Sequence, residues 1–213
     1  MAAQQVRHPI FARFYSRLAS RMEDAGVGDH RRSLLAGLSG EVLEVGAGSG
    51  LNFTHYPAAV TSVLAVEPED YLRGAASEHA AAAPVSVTVV DGTAEHLPAG
   101  DRSFDHVVAT LMLCSVSDLP GALTEIHRVL RPGGDLRFME HVLAPTPGMR
   151  RIQRLADATV WPACFGNCHA ARDTVSAIAE AGFEFRELTR YRLPETPVPW
   201  PSTPHARGIA VRI

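Results

Sequence analysis

Three glycines at alternate positions, Gly46, Gly48 and Gly50, follow directly on the β-rich run EVLEV. A backbone without Cβ atoms turns sharply and lets a ligand approach where a side chain would collide. In an open α/β sheet, the loop at the carboxyl end of the first strand faces the ligand crevice. Glu67 closes the next β-rich run, 17 positions after Gly50, where a carboxylate can accept both hydroxyls of an adenosine ribose. The bland alternative for Glu67 is a solvated strand end before a turn at Pro68. An acid at this place serves nicotinamide dinucleotides and S-adenosylmethionine (SAM) alike, and the glycine spacing separates the two. A dinucleotide loop reads G-x-G-x-x-G and seats a pyrophosphate on a helix N-terminus. Here the loop reads G-x-G-x-G, and SAM carries no phosphate that would need the longer cradle. Glu44, inside the first run, either orients the loop or meets the methionine amine, against the alternative of a buried acid bonded to backbone amides.

Methyl transfer from a sulfonium centre needs in-line approach more than elaborate acid–base machinery, and positioning alone can supply roughly 7–11 kcal/mol of the barrier. His141, after Glu140 at the end of a β-rich run, is the general-base candidate, weighed against an imidazole bonded to Glu140 or to backbone. Cys168 and His169 lie in a later loop, with Arg172 one turn on. Cys164, Cys168 and His169 lack the paired spacing and fourth ligand usual in zinc sites, and no acidic magnesium cluster is evident, so no metal is expected. Cys114 reads as core. An apolar acceptor pocket could draw on Phe14, Tyr15, Met112, Leu113, Trp161 and Phe165, beside Cys168 and His169, although each of these is equally a packing residue.

The elements that must hold these groups follow from periodicity. Residues 9–25 carry Ile10, Phe11, Phe14, Leu18 and Met22 at helical spacing, with Gly26 after them. A second short helix is expected over 29–38, with Asp29 as its N-cap. Both form an N-terminal cover, 1–40, and the first 25 residues are expected to close over the cofactor. From Glu41 to 143 short β-rich runs alternate with helices: strands at EVLEVG, SVLAVE, VSVTVV, FDHVVATLML and Leu136–Val142, and helices over 71–83 and 118–130. Continuous apolar runs separated by helices indicate a parallel sheet covered on both faces. The remainder, 144–213, holds helices over 149–160 and 171–181 and two last strands, 183–191 and 206–213, which can close an antiparallel pair at the sheet edge.

The chain has 213 residues, enough for one domain with a substantial core. A net charge of −3 argues against a nucleic-acid binder. No run approaches the roughly 18 apolar residues of a membrane span, and three cysteines make a poor disulfide framework, so a cytoplasmic protein acting on a small molecule is expected.

With these residues in place, 41–142 resembles the class I SAM-dependent methyltransferases, through VLEVGAGSG, AVEPE, DGTAEHLP with SFDHVV, and RVLRPGG. Within that class it is similar to the branch of quinone C-methyltransferases and phospholipid N-methyltransferases. More narrowly, TLMLCSV, FMEHV, WPACFGNCHAARDT and HARGIAVR resemble the microsomal thiol S-methyltransferases and their bacterial relatives. The animal members carry an N-terminal membrane anchor; no matching apolar run stands in these residues.

The resemblance implies a Rossmann-like, seven-stranded, mostly parallel α/β sheet with an antiparallel C-terminal edge pair. It implies that Gly46, Ala47, Gly48 and Gly50, with Glu44 and Asn52 close by, meet the methionine portion, that Glu67 with Pro68 meets the ribose, and that Gly92, Thr93, Ala94 and Glu95 meet the adenine. Thr110 and Leu111 would floor the pocket near the methyl group. Thr93 departs from the acid common in the broader family, so its hydroxyl, a backbone carbonyl, Asp91 or Glu95 must serve the adenine amino group. The expected activity is methylation of a small, apolar acceptor, first a thiol and second a quinone or amino lipid. A nicotinamide oxidoreductase and a non-catalytic SAM-binding regulator are the readings from other classes.

Overall fold

Strand-forming β-branched runs and alanine- or leucine-rich helices alternate along this chain, and the computed structural model, which describes residues 22–194 and 200–213, shows them assembled as one sheet. Strands β1 (Gly40–Val45), β2 (Val60–Val66), β3 (Val87–Val90), β4 (Phe104–Thr110) and β5 (Leu130–His141) run parallel. Two more, β6 (Phe183–Arg192) and β7 (Pro204–Arg212), complete seven strands in the order β3-β2-β1-β4-β5-β7-β6. Strand β7 is antiparallel to both of its neighbours, so it is inserted between β5 and β6 and leaves β6 at the edge.

Alternating side chains divide the core in two, as the period of a strand requires. Val107 and Ala109 face one cluster, and Val108 between them faces the other. The first cluster buries Leu123 and Ile126 of α3 (Leu119–Val129), together with Val175 and Ile178 of α6 (Thr174–Glu180). The second buries Leu35 of α1 (Gly28–Leu35) and Ala76 of α2 (Asp70–Ala80). Helices therefore cover both faces. The remaining helices, α4 (Pro147–Asp157) and α5 (Trp161–Cys164), follow the sheet's fifth strand.

Three helix starts carry polar caps: Glu69 accepts from Leu72 N–H, Asp118 from Gly121 N–H and Asp173 from Ser176 N–H. Asp29 does not cap. A π-helical segment, Glu23–Val27, runs into α1 with Val27 already helical, so Asp29 lies in the first turn of a continuing helix. Gly26 marks the kink there, with φ of +106°. The helix expected over 149–160 is α4, which ends at Asp157, while the short α5 forms just beyond the expected range; the helix expected over 171–181 starts later, where Asp173 caps it. Most of the expected helix over 9–25, with Phe14 and Tyr15, lies outside the described residues. Among the described residues, no helix is long and apolar enough to cross a membrane.

Candidate active site

The glycine loop leaves β1 at Gly46 and is pinned to β2 by two bonds, from Gly46 N–H and Ala47 N–H to the Val66 carbonyl at 2.8 and 3.1 Å. All three glycines have left-handed φ: +65° at Gly46, +57° at Gly48 and +83° at Gly50. A Cβ at Gly46 would stand 2.8 Å from the Met112 Cβ, and one at Gly50 would stand 2.6 Å from the Phe53 ring. Packing within the protein therefore dictates those two. At Gly48, apart from its own chain neighbours, no atom of the described residues lies within 4 Å of the position a Cβ would take. The middle glycine borders open space, which is where a ligand needs the backbone bare.

Glu67 reaches across from the end of β2 and is 5 % exposed. One carboxylate oxygen accepts Gly48 N–H at 2.8 Å and the other accepts Glu69 N–H at 3.0 Å. Burial lifts its pKa, against the pull of those two bonds. It is no solvated strand end. Pro68 follows it half-buried, and Arg73 of α2 donates to the Glu67 carbonyl at 2.9 Å and to Asp91 at 3.2 Å.

Behind the loop lies a buried polar chain. Glu44, 1 % exposed, accepts from the Asn52 amide at 2.9 Å and from the Tyr56 hydroxyl at 2.6 Å. Asn52 also accepts from Arg31 of α1 at 2.9 Å and donates to the Thr110 hydroxyl at 3.1 Å. Arg31 donates to Thr110 at 3.1 Å and to Glu23 at 2.8 Å. Its partners are thus the loop after β1, the end of β4 and the segment before α1. Burial raises the Glu44 pKa to about 7, while Tyr56, Asn52 and Arg31 pull the other way. Glu44 is bonded to side chains, not to backbone amides. Arg31 and Tyr56 are site residues that sequence reasoning did not single out.

On the far side of β2, Gly92 is close-packed, since a Cβ there would lie 2.9 Å from a Val66 methyl. Ala94 is buried, and Thr93 bridges to His96. Both spare acids are engaged elsewhere: Asp91 pairs with Arg73, and Glu95 accepts from Asp118 N–H at 3.3 Å.

Beyond Thr110 the chain turns through Leu111, a branched residue held at φ +56°. Such a conformation costs about 1–2 kcal/mol outside glycine and concentrates at functional sites. Its N–H is tied to the Met139 carbonyl at 2.8 Å. The loop that follows is gathered by Glu140, which is fully buried and accepts N–H bonds from Met112 and Leu113 at 2.9 Å and from Cys114 at 3.2 Å. Leu113 belongs to the core below and lines no crevice, because its side chain is fully buried among the sheet and α3 residues. Met112 is partly buried and packs against Gly46.

His141 does not bond Glu140. Its Nδ1 sits 3.6 Å from the Cys114 sulfur and 3.4 Å from the Cys168 sulfur. Burial lowers the His141 pKa, but the neighbouring Cys114 outweighs it and the net direction is up. Cys114 is buried as expected of a core residue, yet it faces this imidazole. The loop after α5 brings in Cys168; His169 N–H donates to the Cys114 carbonyl at 2.9 Å, and Arg172 donates to the carbonyls of Leu113 and Val116 at 2.8 Å. Trp161 stacks on Phe165 at 4.1 Å on the same side. The His169 ring and the exposed Cys164 take no part in the sulfur–imidazole cluster.

A row of rings runs from that cluster toward α1. His141 meets His205 of β7 edge-on at 4.6 Å, His205 stacks with Tyr191 of β6 at 5.3 Å, and Tyr191 stacks with His30 of α1 at 4.0 Å. Burial, with His141 second, holds His205 down to about 3. Three buried polar atoms in this row, His30 Nδ1, the Tyr191 hydroxyl and His205 Nε2, have no hydrogen-bond partner among the described residues. Of this row, sequence reasoning singled out His141, and His205 only within the HARGIAVR segment; His30 and Tyr191 carried no signal.

Comparison with known proteins agrees with this geometry. The methyltransferase domain family matches residues 43–138. A thiol S-methyltransferase of Homo sapiens is 35 % identical over 184 residues, covering 83 % of this chain and 73 % of its own. A ubiquinone/menaquinone biosynthesis C-methyltransferase of Dinoroseobacter shibae is 33 % identical over 50 % of this chain and 42 % of its own. Among solved structures, a SAM-dependent methyltransferase of Thermotoga maritima shares the fold with a TM-score of 0.68 at 23 % identity, covering 96 % of this chain and 99 % of that one. On these likenesses the chain belongs to the class I SAM-dependent methyltransferases, in the branch that contains the thiol S-methyltransferases.

Proposed function

We propose that this methyltransferase acts on a small, apolar thiol. The observation that carries the acceptor class is the length of the likeness. A match of 184 residues to a thiol S-methyltransferase is too long to be confined to 1–143, and so takes in acceptor-side segments. The likeness to the quinone enzyme spans 106 residues, a length that the cofactor half could hold alone. The half-buried indole of Trp161 and the Phe165 ring give that side an apolar surface.

The cofactor reading rests on the open space at Gly48 and the buried Glu67 beside it. SAM, when bound, supplies a methyl group already activated on a sulfonium. Gly46, Ala47, Gly48 and Gly50 border the methionine portion, and Asn52 and Glu44 stiffen the loop from behind. Glu67 with Pro68 holds the ribose, Gly92 to Glu95 the adenine, and Thr110 with Leu111 the floor. His141 takes the thiol proton. Cytoplasmic action belongs to the same reading, supported by three free cysteines, as a reducing compartment keeps them.

The test is to incubate the full chain with SAM and, separately, an alkyl thiol, an aryl thiol, a reduced quinone and a primary amine, reading S-adenosylhomocysteine and methylated product by mass spectrometry. Thioether formation is the expected result. Methylation of only the quinol or amine would overturn the acceptor, and SAM binding without turnover on any acceptor would make the protein a regulator.

A further inference from the structure

Cys114, His141 and Cys168 come from three separate segments: the loop after β4, the end of β5 and the loop after α5. Among the described residues they are the one group of three histidine, cysteine or acidic side chains with ligand atoms gathered for a metal ion, all within 4.8 Å of one another. Tetrahedral zinc, with Zn–S of about 2.3 Å and Zn–N of about 2.0–2.1 Å, places sulfur and nitrogen ligands about 3.6 Å apart. The two sulfur-to-Nδ1 separations here are 3.6 and 3.4 Å.

The ligands are also held in place without a metal. Cys114 N–H is bonded to Glu140, the Cys114 carbonyl receives His169 N–H, and Cys168 N–H donates to the Phe165 carbonyl at 3.1 Å. Two thiolates and a dipositive ion form a neutral unit, which a buried pocket tolerates far better than free charge. Three protein ligands with a fourth position left over is the pattern of catalytic, not structural, zinc.

We propose that Cys114, His141 and Cys168 bind a zinc ion whose fourth position takes the acceptor thiol. That fourth ligand rests on the thiol reading above; the metal site does not. On coordination the acceptor S–H bond breaks, the proton leaves to solvent, and the sulfur keeps its electron pair in a bond to zinc, since a coordinating thiol is deprotonated outright. His141 then serves as a ligand and no longer as the base.

The experiment uses the full chain, purified under reducing conditions without chelator, exposed to zinc and dialysed. Metal content is read by plasma mass spectrometry, and cobalt is substituted to look for thiolate-to-cobalt charge transfer and tetrahedral d–d bands. About one zinc per chain is expected for the wild type and for Cys164→Ser, whose residue lies outside the cluster. Cys114→Ser and Cys168→Ser should each weaken zinc binding by at least roughly tenfold to hundredfold. A folded, reduced wild type that takes up no zinc overturns the site, as does binding that survives both substitutions. Recovery of a Cys114–Cys168 disulfide, with no zinc uptake after its reduction, overturns it as well. Zinc uptake without thiol turnover would remove the thiol reading and keep the site; thiol methylation by demonstrably zinc-free protein would do the reverse.

Discussion

Replacing Glu44 by glutamine should flatten the pH dependence of stability in one defined window. Burial lifts the Glu44 carboxyl from 4.5 to about 7, so the folded chain holds this proton where the unfolded chain has released it. Between those two values the native state binds more protons than the unfolded state, and stability falls as pH rises through the window. The shift corresponds to roughly 3 kcal/mol at 1.36 kcal/mol per unit, lost by the time the carboxyl is fully ionised. Glutamine has the same shape and no proton to lose. Its carbonyl can accept from Asn52 as Glu44 does, and its amide can donate to the Tyr56 oxygen. Urea unfolding of both proteins across the window gives two curves whose difference isolates this one group, because titrations such as that of His205 cancel. The variant should gain on the wild type as pH rises, by up to roughly 3 kcal/mol. A flat difference, or one of opposite sign, would refute the reasoning and mean that Arg31, through Asn52 and Thr110, keeps the carboxylate ionised throughout.

Four further outcomes follow from the same region. Gly50→Ala should lose about 2–4 kcal/mol of stability, because the new methyl would lie 2.6 Å from the Phe53 ring at a left-handed φ. Gly48→Ala should lose only about 1–2 kcal/mol while SAM affinity collapses; unaltered SAM binding in calorimetry would remove the cofactor from that space. Glu67→Ala should weaken SAM binding roughly tenfold to a hundredfold, the worth of a charge-assisted bond, and an unchanged affinity in the same titration would leave the ribose without its partner. Arg31→Met should cost about 3 kcal/mol in chemical unfolding by stranding Glu23, Asn52 and Thr110. A loss within a few tenths of a kcal/mol would mean that those groups find other partners.

Residues whose meaning is local were legible in the sequence. The Gly46–Gly50 loop and Glu67 declare themselves by position after strands, and the strand runs followed from continuous apolar stretches. Arg31 was not legible, since nothing near it in the chain differs from any solvated helix. Its role comes from Asn52 and Thr110, 21 and 79 positions away. Cys114 reads as core within TLMLCSV because only the fold brings it to His141, 27 positions on. Local spacing grouped Cys168 with Cys164 and His169 and gave no metal site, and both of those neighbours stand apart from the cluster. Asp29 missed its expected cap because a π-segment before it already supplies helical backbone, an irregularity that no propensity pattern reveals. The antiparallel partnership of the last two strands was readable from the proline-rich connection; that β7 enters between β5 and β6 is set by which edge β5 leaves open.

That insertion bears on how the protein is made. On the ribosome, β1 to β5 emerge in an order that lets each new parallel strand find a neighbour already in place. Strand β6 emerges next and has none, because the strand that will separate it from β5 has yet to be translated. A nascent chain halted after Arg192 would hold the glycine loop, Glu67 and even His141, while Tyr191 lay on an unpaired strand and His205 did not yet exist. The far edge of the sheet is thus finished last, when β7 slots in and hydrogen-bonds on both flanks. A translational pause or a premature stop in the proline-rich stretch would yield a polypeptide with the five parallel strands in place and the antiparallel edge unbuilt.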